Sequence, residues 1–299
     1  MNRVDQRPVA AFIVALGAVA VLSVMDALMK HLVLVIGILA VSVWRSAVNL
    51  AIGTALYLPQ RRGWPTRKTM IIHVARGMIV TVMAFLFFWG IGRVPLAQAI
   101  ALTFIAPLIA LLLAALFLNE KIGGRSIAGS VAAFAGVVVI VLGQARAAIG
   151  QDALLGIAAI LGSALAYAVN IVLMRRQALA AKPLEINFFQ SLTVLTLWLL
   201  ALPVVGLPAW PGGQWAWVLS AAAMSSAGTL LFAWAYARGE ASYLAVTEYS
   251  AFLWASLMGW LMFREHVSAT TVAGAVLIVG GCLVAARSRG AEPPEMDYT

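Results

Sequence analysis

The chain has 299 residues, 63% of them hydrophobic and 10% charged, with mean hydropathy +0.98 and a formal net charge of +9. So large an apolar share exceeds what a water-soluble globule can bury, which excludes a soluble enzyme, a disordered regulator and a disulfide-stapled secreted domain. The one cysteine, Cys282, lies in an apolar run, so no intrachain disulfide forms, and no CxxC or Cys/His cluster points to a metal.

A helix needs roughly 20 apolar residues to span a bilayer. Ten apolar stretches meet that length in chain order, near 9–30, 35–58, 70–91, 95–118, 124–143, 152–174, 184–205, 213–236, 241–262 and 268–286. Pro59, Pro65, Pro208 and Pro211 punctuate the connections. Backbone groups in lipid must be bonded within their own segment, and these runs do not alternate as barrel strands do, so the expected fold is all-α and integral to the membrane. The first run, behind Arg3 and Arg7, is too long for the apolar region of a signal peptide. With the N-terminus in the cytoplasm, fourteen Lys and Arg fall on the inner side and four (Lys30, Arg93, Arg146, Arg264) on the outer side, so both termini are expected inside. The basic residues stand singly or in pairs beside apolar runs, which fits membrane orientation and not nucleic acid.

A shift of 145 residues aligns the halves without a gap. Gly17 falls on Gly162, Lys30 on Arg175, Ser46 on Ser191, Trp89 on Trp234, Arg93 on Arg238, Glu120 on Glu265, Gly129 on Gly274 and Gly136 on Gly281. Each copy holds five spans, an odd number, so the second enters the membrane inverted. The expected units are residues 1–147 and 148–290, followed by a cytoplasmic tail, 291–299. Inverted repeats meeting at the midplane are a recurring plan for secondary transporters.

The run Pro95-Leu96-Ala97-Gln98-Ala99, Phe104-Ile105-Ala106-Pro107-Leu108, Leu118-Asn119-Glu120-Lys121, Gly129 and Gly136-Val137 resembles the EamA domain of the drug/metabolite transporter superfamily, with a second copy from Ala241 through Glu265 to Gly281. Within that superfamily the chain looks most like the YddG-type bacterial amino-acid exporters. The resemblance covers nearly the whole chain. It implies ten helices, cytoplasmic termini, an inner-membrane location and a small-molecule substrate. Phe252 stands where the first copy has Pro107, so unequal kinks are expected in the two corresponding helices.

Ionisable residues inside spans are functional candidates. Asp26 and Lys30, four apart, are expected to pair, as structure or as a gate. Arg45 lies mid-span beside Trp44, with Asn49 on its face. It is a partner either for a substrate carboxylate or for backbone carbonyls or an acid of the chain. His73 and Arg76 share a helix face near an end, where Arg76 either snorkels to the headgroups or bridges to Glu248. Glu248 is alternatively a site for an ammonium group or a coupling proton. Tyr243, Thr247, Ser250 and Trp254 follow one helical face. With Met83, Trp89, Gln98, Thr103, Tyr167, Asn170, Ser225 and Thr229 they complete the expected substrate lining. Phe85 and Tyr249 are further aromatic candidates, while Trp64, Trp210, Trp215 and Trp217 suit interfacial belts. An aromatic cavity with a few polar groups suits an amphipathic solute.

There is no G-x-x-x-x-G-K-S/T, no HExxH and no GxGxxG after a strand, so no cofactor is expected and any energy comes from gradients. The leading reading is export of aromatic and other neutral amino acids by alternating access. The alternatives are a multidrug or other metabolite exporter and, behind it, an intramembrane lipid-modifying enzyme. The expected partners are the solute and membrane lipid, with no nucleic acid and no obligate protein partner.

Overall fold

The structure, a computed structural model, describes residues 8–61, 63–106, 109, 124–146, 151–238, 244 and 247–286. These residues are helical throughout apart from turns and connections, and none of them is in a strand. The helices are α1 (Pro8–Tyr57), α2 (Arg67–Ile91), α3 (Leu96–Thr103), α4 (Gly124–Arg146), α5 (Gln151–Ala180), α6 (Pro183–Val205), α7 (Trp215–Arg238), α8 (Ala251–Phe263) and α9 (Ala269–Ala286). Five helical stretches among the described residues are long and apolar enough to cross a bilayer. Leu200, Val204, Leu253 and Val276 point outward at 66–89% exposure, as lipid-facing side chains do.

The first element departs from expectation. Its helix runs through residues 31–34, where a connection was expected, and breaks at Gly37 (φ 80°, ψ 159°). That backbone conformation is open essentially to glycine alone. Fifty residues of straight helix would measure about 75 Å, far more than a bilayer core of about 30 Å. Asp26 and Arg45 would stand about 28 Å apart on a straight helix, yet both line one cavity. The two arms of α1 therefore fold back on each other about Gly37. Thr66 caps α2 by accepting from the Thr69 amide (3.3 Å), and Pro183 opens α6 at a position that needs no N–H.

The 145-residue shift is visible in the packing. A Cβ at Gly136 would stand 2.6 Å from the Gly274 carbonyl oxygen, and a Cβ at Gly281 2.5 Å from that of Gly129. The shift carries Gly136 to Gly281 and Gly129 to Gly274, so it exchanges these two contacts. Absent side chains thus let α4 and α9 touch along their backbones. The same relation governs two arginines. Arg93 lies over the Trp89 ring (3.5 Å) and donates to the Trp89 carbonyl, and Arg238 does the same over Trp234 (4.3 Å).

The main apolar core gathers Met29 and Leu32 of α1, Ile91 of α2, Leu96 and Leu102 of α3, Ile140 of α4, Ile160 of α5 and Ile278 of α9, all fully buried. It fills one end of the bundle. There Lys30, 5% exposed, forms an ion pair with Glu265 and donates to the Val94 carbonyl (2.7 Å). The other Glu265 carboxylate oxygen accepts from the Leu96 amide at the start of α3 (2.8 Å). The expected Asp26–Lys30 pair is therefore corrected. Asp26 faces the cavity, and Lys30 reaches across to an acid that also caps a helix.

Candidate functional site

A cavity of about 290 Å³ opens beside the packed core, walled by α1, α2, α3, α5, α6, α7 and the segment before α8. Along α2 the lining runs from Phe88 at the core end to Arg76, a rise of about 18 Å. Along α5 it runs from Ser163 to Met174 and Ala178, while Ile157 and Ile160 of the same helix lie in the core. The cavity thus extends from the packed end toward the connection between α5 and α6.

Two interrupted helices meet at its wall. α3 ends at Thr103, and Phe104 and Ile105 form a turn. Residues 247–248 are helical, Tyr249 and Ser250 form a turn, and α8 begins at Ala251. The turns occupy positions related by the 145-residue shift. Both are tightened by bonds between residues three apart, Phe104 to Ala101 and Ser250 to Thr247. Hydroxyls compete for carbonyls on both sides, Thr103 with Ile100 and Thr247 with Leu244, each at 2.7 Å. The Phe104 and Tyr249 rings meet edge to face with centroids 5.3 Å apart. The described parts of both helices break at equivalent places, while the expected difference in kinking turns on Pro107. Pro107 lies outside the described residues.

Among the described residues four acidic or basic side chains face the cavity: Asp26, Arg45, Arg76 and Glu248. Arg45 donates to Ser225 Oγ (3.1 Å), lies 5.4 Å from the Phe88 ring centre, and has Asp26 within electrostatic reach. Its Nε is buried without a hydrogen-bond partner among the described residues. Asn49 bonds to both Ser225 and Ser226. Glu248 accepts from the hydroxyls of Tyr236 (3.0 Å) and Tyr167. Arg76, 6% exposed, donates to Asn170 Oδ1 (3.0 Å) and Gln177 Oε1 (2.5 Å). Neither expected fate of Arg76 is found: it does not snorkel, and it forms no bridge to Glu248. Amide acceptors on α5 hold the arginine, and two tyrosines occupy the acid.

Of the residues expected to line the site, Arg45, Asn49, Met83, Thr103, Tyr167, Asn170, Ser225, Thr229 and Glu248 border this cavity, as do Asp26 and Arg76. Others lie elsewhere. Trp44 donates to the Ala209 carbonyl (2.9 Å) and packs against Trp210 and Trp215. Trp89 carries Arg93. Gln98 borders a second, small hollow beside Glu265. Thr247 is buried and bonded to its own helix, and Trp254 and Phe85 are each 38% exposed. The turn at Tyr249 and Ser250 explains Thr247 and Trp254, because it ends the helical register that joined them to one face. Tyr243 lies outside the described residues. His73 is fully buried behind Arg76, between Gln177 and Glu185 (3.0 Å). The sequence reading missed Phe87, Phe88, Met174 and Gln190 of the lining, and marked Phe104 through its alignment on Tyr249.

Among the described residues no cluster of three His, Cys, Asp or Glu side chains could hold a metal ion.

Comparison with known proteins gives one family, described as the EamA-like transporter family, which matches residues 9–142 and again 154–287. The pseudopaline exporter CntI of Pseudomonas aeruginosa strain UCBPP-PA14 is 28% identical over 273 residues, covering 89% of this chain and 92% of that protein. A riboflavin transporter of Vibrio cholerae serotype O1 is 27% identical over 245 residues, 78% of each chain. One crystal structure superposes with a TM-score of 0.64 at 21% identity, over 92% of this chain and 96% of the other, a likeness of fold alone.

Proposed function

The chain belongs to the EamA-like transporter family, and from that premise we propose that it is a secondary transporter of a bacterial inner membrane, exporting small amphipathic metabolites by alternating access. Aromatic and other neutral amino acids are the foremost substrates in this reading. Ten helices form two inverted repeats, with both termini in the cytoplasm. The observation that carries the reading is the cavity itself. It lies where the interrupted helices of the two repeats meet, and its wall combines Phe87, Phe88, Phe104, Tyr249 and Met83 with four acidic or basic groups. Such a wall suits a solute with an apolar body and a charged head. Interrupted helices at a repeat junction are where secondary transporters bind their solutes. The end sealed by Lys30 and Glu265 is the outer one, and the cavity reaches toward the cytoplasm.

The test is uptake of labelled tryptophan, phenylalanine and aliphatic amino acids into liposomes carrying the purified protein, with and without a proton gradient. Saturable flux competed by neutral amino acids is expected, reduced at least tenfold by Glu248→Ala. No flux above empty liposomes from folded protein refutes the amino-acid assignment. The second reading, export of another metabolite, is favoured by the relatives, named for pseudopaline and for riboflavin. Flux of such compounds without amino-acid flux would decide for it.

A further inference from the structure

Among the described residues Arg76 is a buried cation without an acid. It borders the cavity, yet its hydrogen-bond partners there are neutral amide oxygens, Asn170 Oδ1 and Gln177 Oε1. Among the described residues no carboxylate lies within ion-pair distance of it. Glu248 has the hydroxyls of Tyr236 and Tyr167, and Arg45, which bonds to Ser225, has Asp26 within electrostatic reach though beyond ion-pair distance, whereas no carboxylate stands in that relation to Arg76 among the described residues. An uncompensated charge inside an apolar bundle is costly, and a guanidinium retained there with donors to spare points to an anion that enters and leaves. Its Nη2 makes no hydrogen bond among the described residues, and the planar fork suits a carboxylate approached edge-on.

The guanidinium is also held from behind. Gln177 turns its oxygen to Arg76, so its amide nitrogen is the group that meets His73 Nδ1, at 2.6 Å. Nδ1 is then an acceptor, and the imidazole proton sits on Nε2, which donates to Glu185 Oε1 (3.0 Å). A line of bonds therefore runs from Glu185 in the first turn of α6, through His73 on α2 and Gln177 on α5, to Arg76. None of the three supporting residues borders the cavity. Such backing fixes a ligand-binding group in one pose.

We propose that Arg76 is the specificity-determining residue for a carboxylate on the transported solute, and that Gln177, His73 and Glu185 are its positioning residues. The proposal rests on the transport reading above and sharpens it. It gives the solute's anionic group a place at Arg76, away from the Arg45 that already faces Asp26 across the cavity.

Gln177→Glu is the decisive variant. It is nearly isosteric and supplies the missing acid inside the protein, and its second oxygen keeps the bond to His73 once that imidazole takes a proton at Nδ1. If Arg76 only braces α2 against α5, that change strengthens the brace and leaves solute preference untouched. If Arg76 receives the solute's carboxylate, the built-in acid takes its place. The probes are two pairs, phenylalanine with phenylalaninamide and phenylacetate with phenylacetamide. They are compared by thermal protection of the full-length protein in detergent and by flux competition in liposomes. The wild type is expected to prefer the acid of a pair at least tenfold. Gln177→Glu is expected to melt no lower than the wild type and to lose that preference. Arg76→Gln is expected to lose it and Arg76→Lys to keep part of it. If Arg76→Gln does not fold, the Gln177→Glu result decides alone. Preference retained in Gln177→Glu, or a wild type with no preference in either pair, overturns the proposal. Preference confined to the phenylacetate pair and lost in Gln177→Glu upholds Arg76 while the amino-acid assignment falls.

Discussion

Lys30 has two acids within its reach in principle, and the choice between them shows how individual residues are committed. Asp26 is four positions back on the same helix, a spacing worth a few tenths of a kcal/mol on an exposed surface. Glu265 is 235 positions away, but it offers one oxygen to Lys30 and the other to the Leu96 amide, an orphan donor at a helix start. One carboxylate thereby satisfies two buried groups, and Asp26 is released to the cavity. Glu265→Ala strands a buried ammonium and is expected to cost about 3 kcal/mol, read as a lower melting temperature in detergent. Lys30→Met in the Glu265→Ala background is expected to recover part of that loss. Recovery of nothing would mean that Glu265 acts mainly through Leu96. Residue types and local spacings are visible in a sequence, whereas partners across a bundle are not. That is why the charged residues of the cavity were foreseeable and the Lys30–Glu265, Arg76–Gln177 and His73–Glu185 contacts were not.

At the scale of the helix, what can be read in advance follows from how each feature is encoded. Apolar run length marks the spans, and the expected bounds of α2, α5, α6 and α7 fall within a few residues of those observed, except that α5 runs on to Ala180. The bend of α1 rests on one backbone conformation at one glycine, which hydropathy does not register. Polar His31 beside Lys30 gave a false boundary, while Gly37 looked like one more small residue in an apolar run. Gly37→Ala is expected to destabilise the protein by about 1–3 kcal/mol through that conformation alone, measured by thermal or denaturant unfolding in detergent. No change would imply that the hairpin tolerates a shifted bend. The turns at Phe104 and Tyr249 were not expected, because each is a short lapse in a helical pattern. Thr247 and Trp254 show the consequence: helical spacing was carried across a turn that breaks it.

At the scale of the molecule, the core and the Lys30–Glu265 contact close one end, and the cavity extends toward the other. The alternating access proposed above requires that closed end to part in each cycle. Lys30→Cys and Glu265→Cys, in a Cys282→Ala background and joined by a reversible bifunctional thiol reagent, are expected to abolish liposome flux, and reductant is expected to restore it. Undiminished flux in the joined protein would place the moving parts elsewhere. The glycine contacts between α4 and α9 bear on a different matter, the order of assembly during synthesis. The α1 hairpin can form as soon as its two arms have left the ribosome. The groove at Gly129 and Gly136 has no such neighbour, because Gly274 and Gly281 are made more than a hundred residues later. Until α9 emerges, that groove faces lipid or a stand-in helix. The nascent chain therefore waits for α9 before the contacts of its first repeat are complete, and a ribosome stalled before α9 would leave an insertion intermediate for membrane quality control to recognise.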